Sequence, residues 1–227
     1  MASAAPAQKA RSVMPDNLRR VEKPGDMLPV DCLLIFREKN PFVSRGAYKL
    51  LTALQRYNID VTGLVALDAG ASTGGFTDCL LQRGAARVYA VDVGYHQLHE
   101  KLRADSRVIS MESTNLRLAG PDLLPEKVDL VVSDVSFISL KAILPACIQF
   151  LKPGGGVISL IKPQFEVPAD KTIKGVVRDV ALQKQAVDDV VEFAAEALGL
   201  KLQGVLPAAI KGPKGNQEYL AWWLLPE

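Results

Sequence analysis

The sequence contains few of the residues that bind structural metals or form disulfides. It has three cysteines and two histidines in 227 residues, and no C-x-x-C pair. Scattered cysteines predict neither a disulfide framework nor a metal centre, so we expect Cys32, Cys79 and Cys147 to be buried thiols. His96 and His99 fall in a polar segment, where we expect solvated surface. The predicted chemistry therefore uses no metal.

Long hydrophobic runs are also lacking. No uninterrupted apolar run approaches the roughly 18 residues that a membrane-spanning helix needs, and the N-terminus has no apolar signal core. The hydrophobic fraction of 48% and the charged fraction of 23% are those of an ordinary soluble globule. We therefore expect a cytoplasmic protein without membrane contact, large enough for one α/β domain and a short appendage.

The net charge is only +2, but it is unevenly distributed. Residues 1–60 carry ten Lys/Arg against six Asp/Glu, whereas residues 61–227 carry 17 against 19. A basic N-terminal face could bind phosphate, and an ordinary solvated surface would give the same pattern. Charge alone leaves both interpretations open.

Composition divides the chain into three parts. Residues 1–13 are small and polar, which predicts a disordered or vector-derived tail. Residues 14–41 contain several prolines before a short apolar run, which suggests turns leading into a strand at the edge of a small module, or a linker. Residues 42–227 hold the regular alternation of apolar and amphipathic segments that predicts the main domain.

A glycine-rich turn in residues 64–79, LVALDAGASTGGFTDC, organises this domain. An apolar run ends in Asp68 and is followed by three glycines, Gly70, Gly74 and Gly75. A buried strand, a tight turn and a helix would place a nucleotide pocket at the carboxyl end of the strand. The loop is not a dinucleotide fingerprint, because Ser72 replaces the second glycine, and it lacks the Lys-Ser/Thr of a P-loop. A purely structural turn is the alternative.

A second strand-end carboxylate favours the ligand site. The run Val88–Val91 ends at Asp92, where a carboxylate can accept hydrogen bonds from the two hydroxyls of a ribose. The combination fits S-adenosylmethionine better than a dinucleotide, because the helix has no pyrophosphate to bind. Further along, Thr114 and Asn115 could face an adenine or merely begin a loop.

Apolar strands alternate with helices along the rest of the chain, which predicts a parallel, doubly wound sheet. Strands are expected near residues 64–67, 88–91, 108–111, 128–132, 157–161, 202–210 and 219–225. Helices are expected after a Ser44 cap and at residues 76–83, 96–104, 139–151 and 178–198. The closing hairpin should add an antiparallel strand, giving seven strands in all.

Four charged residues fall at the start of a helix or the end of a strand on the expected pocket side: Lys49, Asp134, Lys162 and Glu218. A lysine at the end of a central strand needs an anion unless its ammonium snorkels to solvent. Two cations and two carboxylates can neutralise one another in a half-buried site. Such a network could position a hydroxyl group, with Lys162 accepting its proton.

In these segments the chain resembles the TlyA/hemolysin A-like group of FtsJ-type RNA 2′-O-ribose methyltransferases. The matching words are Val43-Ser-Arg-Gly-Ala-Tyr-Lys49-Leu, Asp68-Ala-Gly-Ala-Ser-Thr-Gly-Gly-Phe-Thr77, Val91-Asp-Val-Gly-Tyr95, Asp129-Leu-Val-Val-Ser-Asp-Val-Ser-Phe-Ile-Ser139, Lys162-Pro-Gln-Phe-Glu166 and Gly215-Asn-Gln-Glu218-Tyr. They occur in family order over residues 43–219.

The resemblance implies a Rossmann-like, seven-stranded S-adenosylmethionine-dependent methyltransferase fold. It also implies methyl transfer to a ribose 2′-hydroxyl of ribosomal RNA, in some members on a cytidine, with ribosomal RNA or ribosomal subunits as partner. The family's catalytic Lys-Asp-Lys-Glu set corresponds to Lys49, Asp134, Lys162 and Glu218. Full-length relatives begin with an S4 RNA-binding module, and residues 14–41 resemble only its tail.

Together, the loop and the resemblance define the expected cofactor-binding residues: Asp68, Gly70, Ala71, Ser72, Thr73, Gly74, Gly75, Phe76, Asp92, Val93 and Asn115. Two other functions compete with the methyltransferase. The family name hemolysin suggests a membrane-damaging protein, although the sequence has no spanning segment. A non-catalytic domain that binds S-adenosylmethionine or RNA is the third possibility, and the complete four-residue set argues against it.

Overall fold

The computed structural model describes residues 40–227. The predicted tail at residues 1–13 and nearly all of the S4-like segment at residues 14–41 lie outside this range.

A seven-stranded sheet forms the centre of the domain. The strands are β1 (Val65–Ala69), β2 (Arg87–Val91), β3 (Val108–Met111), β4 (Val128–Ser133), β5 (Leu151–Ile161), β6 (Lys201–Pro207) and β7 (Tyr219–Leu224). Their order across the sheet is β3-β2-β1-β4-β5-β7-β6. The first five strands are parallel, while β7 pairs antiparallel with both β5 and β6. The predicted mostly parallel sheet with a closing antiparallel strand is confirmed.

Within residues 40–227, six α-helices accompany the sheet: α1 (Ala47–Arg56), α2 (Gly75–Gln82), α3 (Glu100–Arg103), α4 (Leu140–Ile148), α5 (Pro163–Glu166) and α6 (Val180–Glu196). Helices α1 and α2 pack against each other, and α4 packs against α6.

Two hydrophobic clusters form because neighbouring strand residues point to opposite faces of the sheet. Ala66 and Ile158 belong to the cluster that includes α1 and α2. Leu67 and Val157 belong to the cluster that includes α4 and α6. Both faces are therefore covered, as a parallel sheet requires.

Three predicted boundaries were wrong. The helix expected at 96–104 is reduced to α3, because His99 has a non-helical backbone, with ψ 139°, and its Nδ1 atom caps the helix by accepting from Lys101 N–H. The helix expected to reach residue 151 ends at Ile148, and the proline and glycines at 153–156 lie inside β5, where an irregularity in the β4–β5 register accommodates them. Helix α1 begins at Ala47, three residues after the expected Ser44 cap.

Candidate active site

Four charged residues meet at one edge of the sheet. Asp134 and Lys162 directly follow β4 and β5, so the parallel strands deliver both to their common carboxyl edge. Glu218 precedes β7, which runs the opposite way and begins with Tyr219 paired to Ile161. An antiparallel strand starts where its parallel neighbour ends, and Glu218 therefore reaches the same edge.

The four side chains form two linked ion pairs. Lys162 Nζ lies 2.6 Å from Asp134 Oδ1, and Lys49 Nζ lies 2.6 Å from Glu218 Oε2. Asp134 connects the two pairs, because its second oxygen is 4.0 Å from Lys49 Nζ. The residues that the sequence analysis selected as catalytic thus lie together, with each ammonium beside a carboxylate.

Burial explains why the charges are paired. Lys49 is 8% exposed, Lys162 is 7% exposed and Glu218 is 1% exposed. Removing an isolated ammonium or carboxylate from water is unfavourable by several kcal/mol or more, so each needs a partner of opposite charge. Removing one member would leave an uncompensated charge, and the network acts as a unit.

Two polar residues in this network were missed by the sequence analysis. Lys162 Nζ donates to Ser136 Oγ at 2.7 Å, and Gln164 Nε2 donates to Glu218 Oε1 at 3.5 Å. Both lie within two residues of a selected charge, Asp134 or Lys162, and inside motifs already quoted. Their spacing was available, but only the fold shows that their side chains turn towards the charges.

Gly212 is a further residue of the site that could not be recognised from the sequence. A Cβ atom at this position would lie 2.4 Å from Glu218 Oε1 and 3.1 Å from its carboxyl carbon. The backbone of the β6–β7 loop therefore approaches the carboxylate at a distance that only glycine permits. The sequence showed a Gly-Pro turn here but not its contact with the site.

The glycine turn lies beside the charged network. Gly70 has φ +80°, and a Cβ there would lie 3.1 Å from the backbone Cα of Val135. This close approach joins the turn after β1 to the loop after β4. One cavity contains the charged residues and much of the turn: Lys49, Asp68, Gly70, Ala71, Ser72, Thr73, Gly75, Phe76, Asp134, Lys162 and Glu218 line it.

A second cavity adjoins the first, and the two share Gly70, Ser72, Asp134 and Ser136. The second cavity is lined by the residues that were expected to contact the ribose and the adenine: Asp92, Val93 and Asn115. Gly74, the remaining loop residue, lines neither cavity; it packs on Leu98 and Leu102 with φ +95°. Ten of the eleven expected cofactor residues thus border one continuous depression that ends at the four charges.

Asp92 is held by the backbone on both sides of its carboxylate. Its Oδ2 accepts from Ser72 N–H at 2.8 Å, and its Oδ1 accepts from Gly94 N–H at 2.7 Å. These bonds fix the carboxylate at the cavity wall, and each oxygen retains acceptor capacity for another donor. The geometry suits two adjacent hydroxyl groups.

Asp68 differs from Asp92 because it is fully buried. Its Oδ2 accepts from Thr77 N–H and Oγ1, while its Oδ1 is buried without a hydrogen-bond partner among the described residues. Burial, reinforced by the nearby carboxylates of Asp134 and Asp92, raises the pKa of Asp68 to about 7 against the opposing effect of the Thr77 bonds. An approaching cation would favour its ionised form.

The remaining candidate groups lie elsewhere. Cys79 and Cys147 are buried thiols, as expected, and burial raises the pKa of each to about 12. Cys32 lies outside the described residues. His96 contacts Arg103, and His99 caps α3. Within residues 40–227, no helix has the length and apolar character needed to cross a membrane.

Comparison with known proteins agrees with this architecture. Residues 42–224 match the FtsJ-like methyltransferase family. The 16S/23S rRNA (cytidine-2′-O)-methyltransferase TlyA of Mycobacterium tuberculosis is 48% identical over 182 residues, which cover 80% of this chain and 68% of the relative. A solved structure of a candidate hemolysin from Streptococcus thermophilus has a TM-score of 0.80 at 44% identity, covering 84% of this chain and 69% of the other.

More distant similarity defines the fold. The N-methyltransferase NodS of Bradyrhizobium japonicum, solved with S-adenosyl-L-homocysteine, has a TM-score of 0.57 at 18% identity and covers 84% of this chain and 90% of its own. The sheet and its carboxyl-edge site define a Rossmann-like methyltransferase. Within that class, the chain belongs to the FtsJ-like methyltransferase family.

Proposed function

We propose that this protein transfers a methyl group from S-adenosylmethionine to the 2′-hydroxyl of a cytidine in ribosomal RNA. The observation that carries the proposal is the paired Lys-Asp-Lys-Glu network at the end of the glycine-lined depression. The 48% identical relative is named as a ribosomal RNA cytidine-2′-O-methyltransferase. We place the activity in the cytoplasm, where ribosomal RNA occurs.

The residues of the depression fit S-adenosylmethionine. When bound, the cofactor would supply an electrophilic methyl group on a positively charged sulfur. The buried carboxylate of Asp68, whose Oδ1 has no hydrogen-bond partner among residues 40–227, suits a positively charged ligand. Asp92 would accept from the ribose hydroxyls, and Val93 and Asn115 border the part of the cavity available for the adenine. The glycines leave room for the methionine half.

In the proposed reaction, Lys162 is the proton acceptor. The Lys162 ammonium would first lose its proton. Its free amine would then take the proton of the ribose hydroxyl as that oxygen bonds to the methyl carbon and the methyl–sulfur bond breaks, so that the sulfur leaves as a neutral thioether. Asp134, 2.6 Å away, stabilises the ammonium that results. Lys49 and Glu218 neutralise each other beside this pair, and Lys49 is placed to attract an RNA phosphate. We also propose that no metal takes part, because Lys49 and the Lys162 ammonium that the reaction forms supply the positive charge near the reacting oxygen.

A lysine-bearing surface beside the network suits an RNA backbone. Residues 168–177 and 211–216 form two neighbouring loops joined by Asn216, which accepts from Val177 N–H at 3.0 Å and donates to Gly175 O at 2.9 Å. Four exposed lysines project from the loops: Lys171, Lys174, Lys211 and Lys214. None of them is paired with a carboxylate within residues 40–227.

These loops are connected directly to the candidate active site. Pro213 lines the cavity of the charged network, and Gly212 contacts Glu218. Lysines held beside the reacting groups would bind the phosphates that flank the target nucleotide. We propose that residues 14–41, as the tail of an S4-like module, add little RNA affinity by themselves.

Tritium transfer from labelled S-adenosylmethionine to ribosomal RNA tests the function. The parent protein should label RNA or ribosomal subunits from cells that lack the modification, and digestion should place the label on 2′-O-methylcytidine. Label on another nucleotide would reject the cytidine assignment while retaining the reaction. Lysis of erythrocytes without methyl transfer would favour the hemolysin function, and cofactor binding with neither activity would favour a non-catalytic domain.

The metal proposal needs its own measurement. We expect full methyl transfer in excess chelator, with the RNA kept folded by monovalent salt. Loss of activity that is restored specifically by a divalent ion, while the RNA remains folded, would contradict the proposal.

A further inference from the structure

Glu166 is a half-buried carboxylate that the reaction described above does not use. It ends helix α5, four residues after Lys162, and points towards the start of α4. Glu166 Oε2 accepts from Ser139 Oγ at 2.6 Å, and Oε1 accepts from Leu140 N–H at 2.8 Å. Both carboxylate oxygens are thus occupied, one by the cap residue of α4 and the other by the first residue of that helix.

These bonds join the two segments that carry the central ion pair. Residues 134–139 leave β4 and contain Asp134 and Ser136, both of which contact Lys162. Residues 162–166 leave β5 and contain Lys162 at one end and Glu166 at the other. The segments are therefore held together at both ends.

An aromatic contact lies between the two polar ones. The rings of Phe137 and Phe165 have centroids 5.2 Å apart. Along both segments, the contacts follow in the same order: Lys162 with Asp134 and Ser136, then the two rings, then Glu166 with Ser139. Movement at the Glu166 end would consequently change the distance between Lys162 and its partners.

The contacts of Glu166 with Ser139 and Leu140 are sensitive to substitution because the carboxylate is half-buried. Burial raises the pKa of the Glu166 carboxyl, while the bonds from Ser139 and Leu140 oppose that rise. A half-buried carboxylate with two charge-assisted hydrogen bonds is more strongly held than an exposed one. Lys141 and Asp189 are the other charged groups near it, with opposite effects.

We propose that Glu166 is a positioning residue whose contacts with Ser139 and Leu140 set the geometry of the Lys162–Asp134–Ser136 group. The expected effect of Glu166 on kcat rests on the proposed function. The expected effect on the position of Lys162 does not rest on it, and that effect can be measured without RNA.

Substitution of Glu166 tests the kinetic consequence. Glu166→Ala should lower kcat by about tenfold to a hundredfold, since small misplacements of reacting groups have effects of this size, while the dissociation constant for S-adenosylmethionine stays unchanged. Glu166→Gln should restore most of the rate, because its amide can accept from Leu140 N–H and donate to Ser139 Oγ.

Asp179 provides the matched control. It also caps a helix with its carboxylate, accepting from Ala181 N–H at 2.8 Å at the start of α6. Asp179→Ala should lower the Tm without lowering kcat. The proposal is overturned if Glu166→Ala retains the parent kcat, or if Glu166→Gln is as slow as Glu166→Ala.

Chemical labelling gives a readout independent of methyl transfer. The rate at which acetic anhydride acetylates Lys162, measured by mass spectrometry against Lys152 as an internal reference, should rise in Glu166→Ala and stay at the parent value in Asp179→Ala. An unchanged rate in the folded Glu166→Ala protein would reject the positioning role. If the rate rises but the parent methylates no RNA, the proposed function fails and the positioning role stands.

Discussion

The ammonium of Lys162 lies 2.6 Å from the carboxylate of Asp134, although 28 residues separate them in the chain. Lys162 also donates to Ser136 Oγ. The nitrogen is therefore held at one point, between two groups that can stabilise its protonated form. This relationship gives the proposed reaction its most direct test.

Lys162→Arg should abolish most of the methyl transfer. The guanidinium keeps the positive charge but does not give up its proton and cannot occupy the same point as an ammonium. We expect the rate to fall by about two orders of magnitude or more, as for the loss of an acid–base group, with cofactor affinity little changed. Single-turnover transfer and calorimetry would measure the two quantities.

Lys152→Arg is the control for this change. Lys152 pairs with Asp129 in a half-exposed ion pair, so the substitution tests the same chemistry away from the site. If Lys162→Arg methylates RNA as fast as Lys152→Arg, Lys162 is an electrostatic clamp and not the proton acceptor.

Asp92→Ala should weaken binding of S-adenosylmethionine. Losing a charged acceptor of two hydroxyl groups should reduce binding by about 1.5 to 3 kcal/mol. Because Asp92 also accepts from Ser72 and Gly94, circular dichroism and the Tm must show that the variant is folded. Asp105→Ala, which removes a surface partner of Arg107, serves as control. An unchanged dissociation constant in calorimetry would remove Asp92 from the cofactor site.

Asp68 should make cofactor binding depend on pH. With its pKa raised to about 7, the folded protein without ligand releases the Asp68 proton as the pH rises through that value. A cationic ligand favours the ionised carboxylate. We therefore expect the affinity for S-adenosylmethionine to increase between about pH 6 and 8, with proton release seen by calorimetry in buffers of different ionisation enthalpy.

The Asp68 carboxyl should also make the free energy of unfolding depend on pH. Its pKa is higher in the folded state than its unfolded value of about 3.9, so its contribution is complete below about pH 4 and declines as the pH rises towards 7. In that window, the parent should lose about 1.4 kcal/mol of unfolding free energy per pH unit relative to Asp68→Asn. Urea unfolding at pH 5 and pH 7 would measure this difference, and parallel pH dependences would contradict it.

The lysines of the two loops should contribute mainly to RNA binding. Replacing Lys171, Lys174, Lys211 and Lys214 by Gln should raise the KM for RNA and reduce the slope of log affinity against log salt by about 0.7 for each phosphate that a lysine no longer neutralises. The kcat at saturating RNA should stay near the parent value. Lys184→Gln, on the outer surface of α6, is the control. If the slope of log affinity against log salt is unaltered, this surface does not contact the RNA backbone.

The sequence alone determined the fold class, and it predicted residues that the structure brings together at one edge of the sheet. Apolar runs that end in Asp68, Asp92 and Asp134 predict buried parallel strands, and the carboxyl ends of such strands lie at one edge. The glycine-rich turn after Asp68 has little side-chain bulk, so it predicted the side of the sheet that a ligand can approach. These signals are local in the chain, which is why they could be read without a structure.

Some helix and strand boundaries differed from the prediction for a physical reason. The proline and three glycines at 153–156 predict a break, yet pairing with β4 carries β5 through them by means of an irregular register. A ladder of hydrogen bonds to a neighbouring strand can thus override the local preference of the residues.

Only the tertiary structure decided how the charges are paired. Lys49 and Glu218 are 169 residues apart, and they meet because β7 enters the sheet antiparallel beside β5 and brings its beginning to the edge where β5 ends. The sequence did not show which lysine would face which carboxylate, that Ser136 and Gln164 would turn towards these charges, or that Glu166 would bond to the start of α4. Such contacts depend on strand order and loop packing, which arise from the burial of the whole sheet and not from any one segment.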